Sequence, residues 1–566
     1  MFTAKKNNLF NNQASAPTTE KNSFIKESKR TSLTTTSLGN GAVKLTSTDN
    51  SFVDQFANAS NYRKPRTYQE IDKDMRLLWS QHPLDTLSLS TYLRMITRVI
   101  GLPDGTRTST TQRGQGLKHE GIFRQIWLHI NAPETFWKNI PYFISIGSWK
   151  DVITMLSYDL QWNGWEGRVL DWEKFGTLIK AGLENPNTSQ LILKYLPQIK
   201  ANKSCNTLTS QADNIIAKWI CSLLFGNKET PRTYKQYRKM KSAGTAHQWQ
   251  QLISRGKLVD INFDTVHGRA LAQLVSGNFL KNNKLERKYQ EWISSKSVAK
   301  YTGYPYELFI PLGLTNRMSS ASLQRYQIDT INKQFDGIIE TAKKGLKEDQ
   351  QGFIAVIDSS RSMMSQVPGT KVSSYSVAKV MALYFSSLLT GPFANVFLEF
   401  SDTTVMREWK GNTAIDKLCN DTSSIVAGTN FRSVGIHFIN MLRKGVSIKD
   451  FPTGILCVTD NCFNNTRRNK SETQGLREDL LTGGFPKEWV DNFKIILWEI
   501  PNQFYGKSQT AFEDFADSPN LFHISGLDPA AIAFLLGVKY QKSTPKNSEE
   551  LFAAAMDQEI LKMLEV

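Results

Sequence analysis

Cysteine is scarce in this chain: Cys205, Cys221, Cys419, Cys457 and Cys462 make five in 566 residues, with one close pair spaced C-x4-C. An odd count at irregular spacing suggests neither a disulfide framework nor a zinc site. Long apolar runs are also missing. No stretch approaches the roughly 18 residues of a membrane span, and Met1–Lys6 leads into Asn, Ser and Thr rather than an apolar leader. A protein without a membrane anchor is therefore expected, in the cytoplasm or inside a viral particle. There is no G-x-x-x-x-G-K phosphate loop and no evident pair of nucleophile and base, so catalysis is not expected. What is present is a large apolar fraction, 40%, with 11% aromatics, enough for a substantial core.

Charge divides the chain. Residues 1–350 hold 48 Lys+Arg against 29 Asp+Glu, whereas residues 351–566 hold 21 against 23, so the whole basic excess lies upstream. Such asymmetry points to two modules, the first inclined toward a polyanion. Residues 1–60 are rich in Ser, Thr and Asn and read as a disordered polar tail. Over 61–348 apolar residues recur at helical spacing, as in Tyr92, Leu93, Met95, Ile96, Val99 and Ile100, and a basic array of ten or more helices is expected. Over 349–545 apolar runs alternate with helical patterns, the signature of a doubly wound, mostly parallel sheet, and 546–566 reads as a C-terminal helix.

The run Phe353–Ile357 ends in Asp358-Ser359-Ser360-Arg361-Ser362, a D-x-S-x-S behind a buried strand. Residues two apart in extended backbone face one way, so a carboxylate and two hydroxyls converge above the strand's carboxyl end. That is where ligands bind in such sheets, and hard oxygen donors suit Mg²⁺. Thr429, in Gly428-Thr429-Asn430, and Asp460, ending the run Ile455–Val458, fall at the same sheet edge. A dehalogenase-like phosphatase would need a second Asp where this chain has Ser360.

With these pieces the second module resembles a von Willebrand factor A domain. The resemblance implies that Ser360, Ser362 and Thr429 coordinate a divalent cation directly, with Asp358 and Asp460 close by, and that the metal takes a carboxylate from an acidic protein partner. Two positions depart from the pattern: Arg361 replaces a small residue, and Asn430 follows Thr429 in place of Asp.

In the basic module, Arg232-Thr233-Tyr234-Lys235-Gln236-Tyr237-Arg238-Lys239-Met240-Lys241 interleaves cations with tyrosines. Lys235, Arg238, Lys239, Lys241, Arg255, Lys257, Arg269, Lys284, Arg287 and Lys288 are candidates for phosphate contacts, with the tyrosines stacking on unpaired bases. A smaller basic group, Arg107, Arg113, Lys118 and His119, flanks Gly114 and Gly116. A helical array followed by an A domain resembles the Ro autoantigen and its TROVE-type relatives, and the segment Tyr304-Pro305-Tyr306-Glu307-Leu308 occupies the place of a similar motif there. Ile146–Val152, Tyr237–Lys239, Ile261–Phe263 and Arg269-Ala270 are more similar to uncharacterised viral and eukaryotic relatives. The resemblance implies HEAT-like helices closed into a ring by the A domain, and RNA as the partner.

Overall fold

The structure, a computed structural model, describes most of residues 50–566 together with 35–37 and 43–45. Outside the described residues lie 1–34, 38–42, 46–49, 59–65, 102–108, 201–204, 227–229, 245–248, 250–251, 254, 267, 302, 314–317, 345, 347–351, 369, 423–424, 426–427, 462, 464–471, 501–518 and 538–542.

Up to Lys343 the chain is mainly helical. The helices are α1 Ser51–Asn58, α2 Tyr68–Gln81, α3 Pro83–Arg94, α4 Lys118–Asn131, α5 Pro133–Ile146, α6 Trp149–Asn163, α7 Trp172–Glu184, α8 Pro186–Tyr195, α9 Leu208–Phe225 and α10 Pro231–Gly244. They continue with α11 Gly268–Ser276, α12 Phe279–Asn282, α13 Glu286–Ser294 and α14 Arg325–Lys343. Local chemistry sets the breaks. Pro83, Pro133 and Pro186 each open a helix one or two residues after the previous one ends, because proline tolerates the first turn but cannot continue a helix. Thr67 and Glu70 close a reciprocal capping box on α2.

Three local expectations are corrected. Val99 and Ile100 do not continue a helix: α3 stops at Arg94, and β3 Arg98–Gly101 pairs antiparallel with β4 Ser109–Gln112. β-Branched residues favour that extended backbone. Within the span read as a polar tail, β1 Thr35–Ser37 pairs with β2 Val43–Leu45. The same span also contains α1. Phe52, Val53 and Phe56 on α1 are buried, and the carbonyl of Ala57 accepts a hydrogen bond from Ser525.

The second module is a six-stranded sheet of β5 Phe353–Asp358, β6 Val396–Phe400, β7 Thr404–Glu408, β8 Gly454–Thr459, β9 Lys494–Glu499 and β10 Leu521–Ser525. Its order is β10-β9-β8-β5-β6-β7, parallel except for the β6/β7 pair. Helices α15 Ser374–Leu388, α16 Ala414–Cys419, α17 Ser433–Arg443, α18 Glu472–Thr482, α19 Lys487–Asn492 and α20 Ala530–Leu536 complete it. Every residue of β5 is buried, and alternate ones serve different cores. Phe353, Ala355 and Ile357 join α15 and the helical array in one continuous core, while Ile354 and Val356 pack with Val434 and Phe438 of α17.

The two modules share more than a linker. The C-terminus forms two short helices, α21 Ser548–Met556 and α22 Glu559–Lys562. Gln558, between them, exchanges hydrogen bonds of 2.8 and 2.9 Å with the backbone of Arg113. Arg113 in turn donates to the carbonyls of Ala342 and Lys344 at the end of α14. The beginning of the array, its end and the chain's C-terminus thus meet at one buried arginine. Among the described residues no helix is long and apolar enough to cross a membrane.

Candidate functional site

The D-x-S-x-S turn leaves β5 at its carboxyl end and is held to the neighbouring strand. Both the backbone N–H and the hydroxyl of Ser359 donate to Phe400 O at 2.9 Å. Asp358 is fully buried. Its Oδ1 accepts from the Ser360 N–H at 2.8 Å and its Oδ2 from the Thr459 hydroxyl at 2.6 Å. The hydroxyls of Ser360 and Ser362 stand 3.0 Å apart, and Thr429 and Asp460 are also buried. The three loops gather over β5, β6 and β8. Asn430, next to Thr429, donates its N–H to Ser401 O, just past β6. Asp460 follows β8, and its charge raises the Asp358 pKa.

Burial first, and then the nearby Asp460, push the Asp358 carboxyl up to about 7. Two acids taken out of water side by side destabilise each other, so one of them holds its proton more tightly. A divalent cation would relieve that conflict, and hydroxyls are neutral donors that suit it. Among the described residues no three His, Cys, Asp or Glu side chains group as a metal site. A cation here would therefore rest on two carboxylates and the hydroxyls. Arg361 opens a 3-10 turn, Arg361–Met364, with its side chain exposed.

Several supporting residues escaped the sequence reading. Thr459 fixes Asp358. Asn461 adopts φ +63, a backbone region that asparagine tolerates better than most residues. Its N–H donates to the Thr459 hydroxyl at 2.9 Å, and its amide donates to Glu499 at 3.2 Å. Glu499 also meets His523 at 2.9 Å. The run Thr459-Asp460-Asn461 was the available signal, since each of its three residues has a task at the strand end.

The basic candidates separate into groups. On α10, Lys235, Arg238 and Lys239 are exposed and lie at i, i+3 and i+4, which places them on one helix face. No salt bridge engages these three among the described residues. Lys241 is half-buried, and burial draws its ammonium pKa below the usual value. Tyr237, expected to stack on bases, is instead core: it is fully buried and its hydroxyl donates to Pro197 O at 2.8 Å. Arg255 and Lys257 are exposed in the turn before a separate small core that includes Phe263, Leu280 and Tyr289. Around that core Lys284 is exposed and takes a positive φ of 56°. Arg287 pairs with Glu291 on its own helix, and Lys288 donates to Val259 O and Ile261 O. Arg269 is held in a two-pronged ion pair by Glu307, at 2.7 to 3.1 Å.

The smaller basic group is structural. Arg113 is buried at the junction, Lys118 lies 3.9 Å from Asp151, and the His119 ring meets Tyr158 and Arg66 O. Arg107 lies outside the described residues. The Ile146–Val152 segment is a joint of the array, where Asp151 is the buried acceptor of the Arg94 guanidinium at 2.5 and 2.9 Å.

No family model and no curated protein matches the chain. Among solved structures, it is similar to the crystal structure of the Deinococcus radiodurans RO (RSR) protein, at 11% identity and a TM-score of 0.36, over 90% of this chain and 99% of that one.

Proposed function

We propose that this protein is a non-catalytic RNA-binding scaffold whose A domain adds a metal-dependent contact for an acidic protein partner. The observation that carries the RNA reading is the exposed face of Lys235, Arg238 and Lys239 on α10, within a half of the chain that holds the whole basic excess. Cations free of acidic partners release condensed counterions when they meet phosphates, so affinity falls with salt in proportion to the contacts made. In filter binding, the full-length protein is expected to hold single-stranded RNA at low salt and lose it steeply as salt rises. Affinity without a salt slope, or none at low salt, defeats the reading.

For the metal, Ser360, Ser362 and Thr429 would hold Mg²⁺ or another divalent cation, with Asp358 and Asp460 beside it. The buried acid pair supports this assignment. The ion would supply an electrophilic position open to a partner's carboxylate. The rest falls to the chain: Thr459 and the Ser360 N–H orient Asp358, and the buried walls of the strand ends keep water away. The same pair favours a second reading, in which the chain is chiefly a protein-interaction module of a larger particle, viral or cellular. Pull-downs with and without EDTA, comparing wild type with Asp358→Ala, separate the two. Loss of protein partners with RNA affinity intact is expected of the A-domain contact, whereas unchanged partners remove it.

A further inference from the structure

The joint between α5 and α6 lies in the Ile146–Val152 stretch, which the basic face of α10 leaves without a task. Asp151, in the first turn of α6, is buried and takes two bonds from the Arg94 guanidinium, at 2.5 and 2.9 Å. That pair by itself is neutral. A side chain at Gly147 would crowd both Asp151 and Arg94, so glycine is what lets the turn close around them.

Three more cations surround the pair. Arg98 opens β3 and donates from Nη2 to the carbonyls of Ser145 and Ile146, at the end of α5, at 2.7 and 3.0 Å. Lys118 Nζ lies 3.9 Å from Asp151 Oδ1, and its side chain is 42% exposed. Lys150, beside Asp151 in the chain, is exposed. Among the described residues neither Arg98 nor Lys150 enters an ion pair, and Asp213 of α9, which feels Lys150, feels Lys200 first. Arg94, Arg98, Lys118 and Lys150 against Asp151 leave an excess of three positive charges. The cations also disturb one another. Burial lowers the pKa of the Lys118 ammonium, and the like charges of Lys150 and Arg94 lower it further while Asp151 opposes them. Burial and then Arg94 do the same to Arg98. Like charges held together cost free energy until an anion joins them. Lys118 and Lys150 reach solvent, so an anion can meet them without opening the core.

We propose that this joint is a binding site for a phosphate monoester, the group carried by the 5′ end of an RNA or by a free mononucleotide. Such a phosphate has a charge of about −1.5 to −2 at neutral pH and three strong acceptor oxygens. It offsets most of the excess, whereas a carboxylate or an internal phosphodiester brings a single charge. Lys118 and Lys150 suit it because an ammonium meets a phosphate as a point charge on a flexible stem. Arg94 and Arg98, held by Asp151 and by carbonyls, add their field from fixed positions. The mononucleotide source is independent of the RNA reading, and the RNA source rests on it.

The test titrates full-length protein at about pH 7.5, where the monoester is doubly ionised. AMP is compared with adenosine by calorimetry, and one RNA of about ten nucleotides is compared with and without its 5′ phosphate by fluorescence anisotropy. The phosphorylated member of at least one pair is expected to bind about tenfold tighter. Lys118→Gln combined with Lys150→Gln should erase that preference in a protein of unchanged thermal midpoint. Lys118→Arg with Lys150→Arg, which keeps both charges, should retain most of it. No preference in either pair, or a preference that survives the glutamine variant, overturns the proposal. A preference for AMP in a protein without RNA affinity supports the site and defeats the RNA reading. RNA affinity that falls with salt but ignores the 5′ phosphate, with AMP no better than adenosine, does the reverse.

Discussion

The exposed face of α10 and the buried strand ends of the second module treat charge in opposite ways. On α10 the array leaves Lys235, Arg238 and Lys239 exposed on one face, without ion pairs among the described residues. Where the second module buries a charge, it answers it: Lys379 with Asp421 at 2.6 Å, Glu399 with Arg407 and Tyr375, and Asp358 with two hydrogen bonds. An exposed cation keeps its charge available for a distant polyanion. A buried acid is costly unless it is paired, and so it becomes specific for whatever completes the pairing.

The largest effect expected from this contrast is on RNA affinity. Reversing Lys235, Arg238, Lys239 and Lys241 to Glu should weaken binding by about a thousandfold at moderate salt and reduce the salt slope by about 3. An unchanged slope in filter binding would place the phosphate contacts elsewhere.

Next in size is the metal. Mg²⁺ at about one hundred times its dissociation constant should stabilise the wild type by about 2.7 kcal/mol. Asp358→Ala should abolish that shift in thermal melts while RNA affinity changes less than about twofold. A Mg²⁺ shift that survives the substitution would move the ion off this loop.

The pH dependence follows from the acid pair. The folded pKa of Asp358, about 7, lies above its ordinary value of 3.8. Its contribution to stability is therefore fully present below that ordinary value and is lost as pH rises toward 7. Without divalent ions, the unfolding free energy from denaturant melts should fall between those limits, by on the order of 1 to 3 kcal/mol. Asp358→Asn should flatten the profile.

The smallest effect separates core from surface. Tyr237→Phe gives up the bond to Pro197 O and should cost about 1 kcal/mol of stability, with RNA affinity unmoved. A loss of RNA affinity instead would return Tyr237 to the binding face.

Much of the second module was legible in the sequence. β5, β6, β8 and β10 fall within a residue of their apolar runs because strands buried on both faces are nearly continuous in Val, Ile, Leu and Phe. β7 was missed. Thr404–Glu408 is largely exposed and exists as a strand because β6 pairs with it. α1 was missed for a similar reason: eight residues do not make a stable helix alone, and Phe52 and Phe56 are held by packing from α21 and α3. Tyr237 could not be separated from its cationic neighbours by composition, because one turn of helix decides which of them faces inward.

By itself the sequence determined the two modules, the uneven charge and the D-x-S-x-S loop at a strand end, since these depend on residue type and short-range periodicity. The tertiary structure decided which charges remain free. Glu307 reaches Arg269 across 38 positions, Gln558 reaches Arg113 across 445, and the buried Gln334 keeps an oxygen without a partner among the described residues. Pairing depends on distance in space, and spacing along the chain does not encode it.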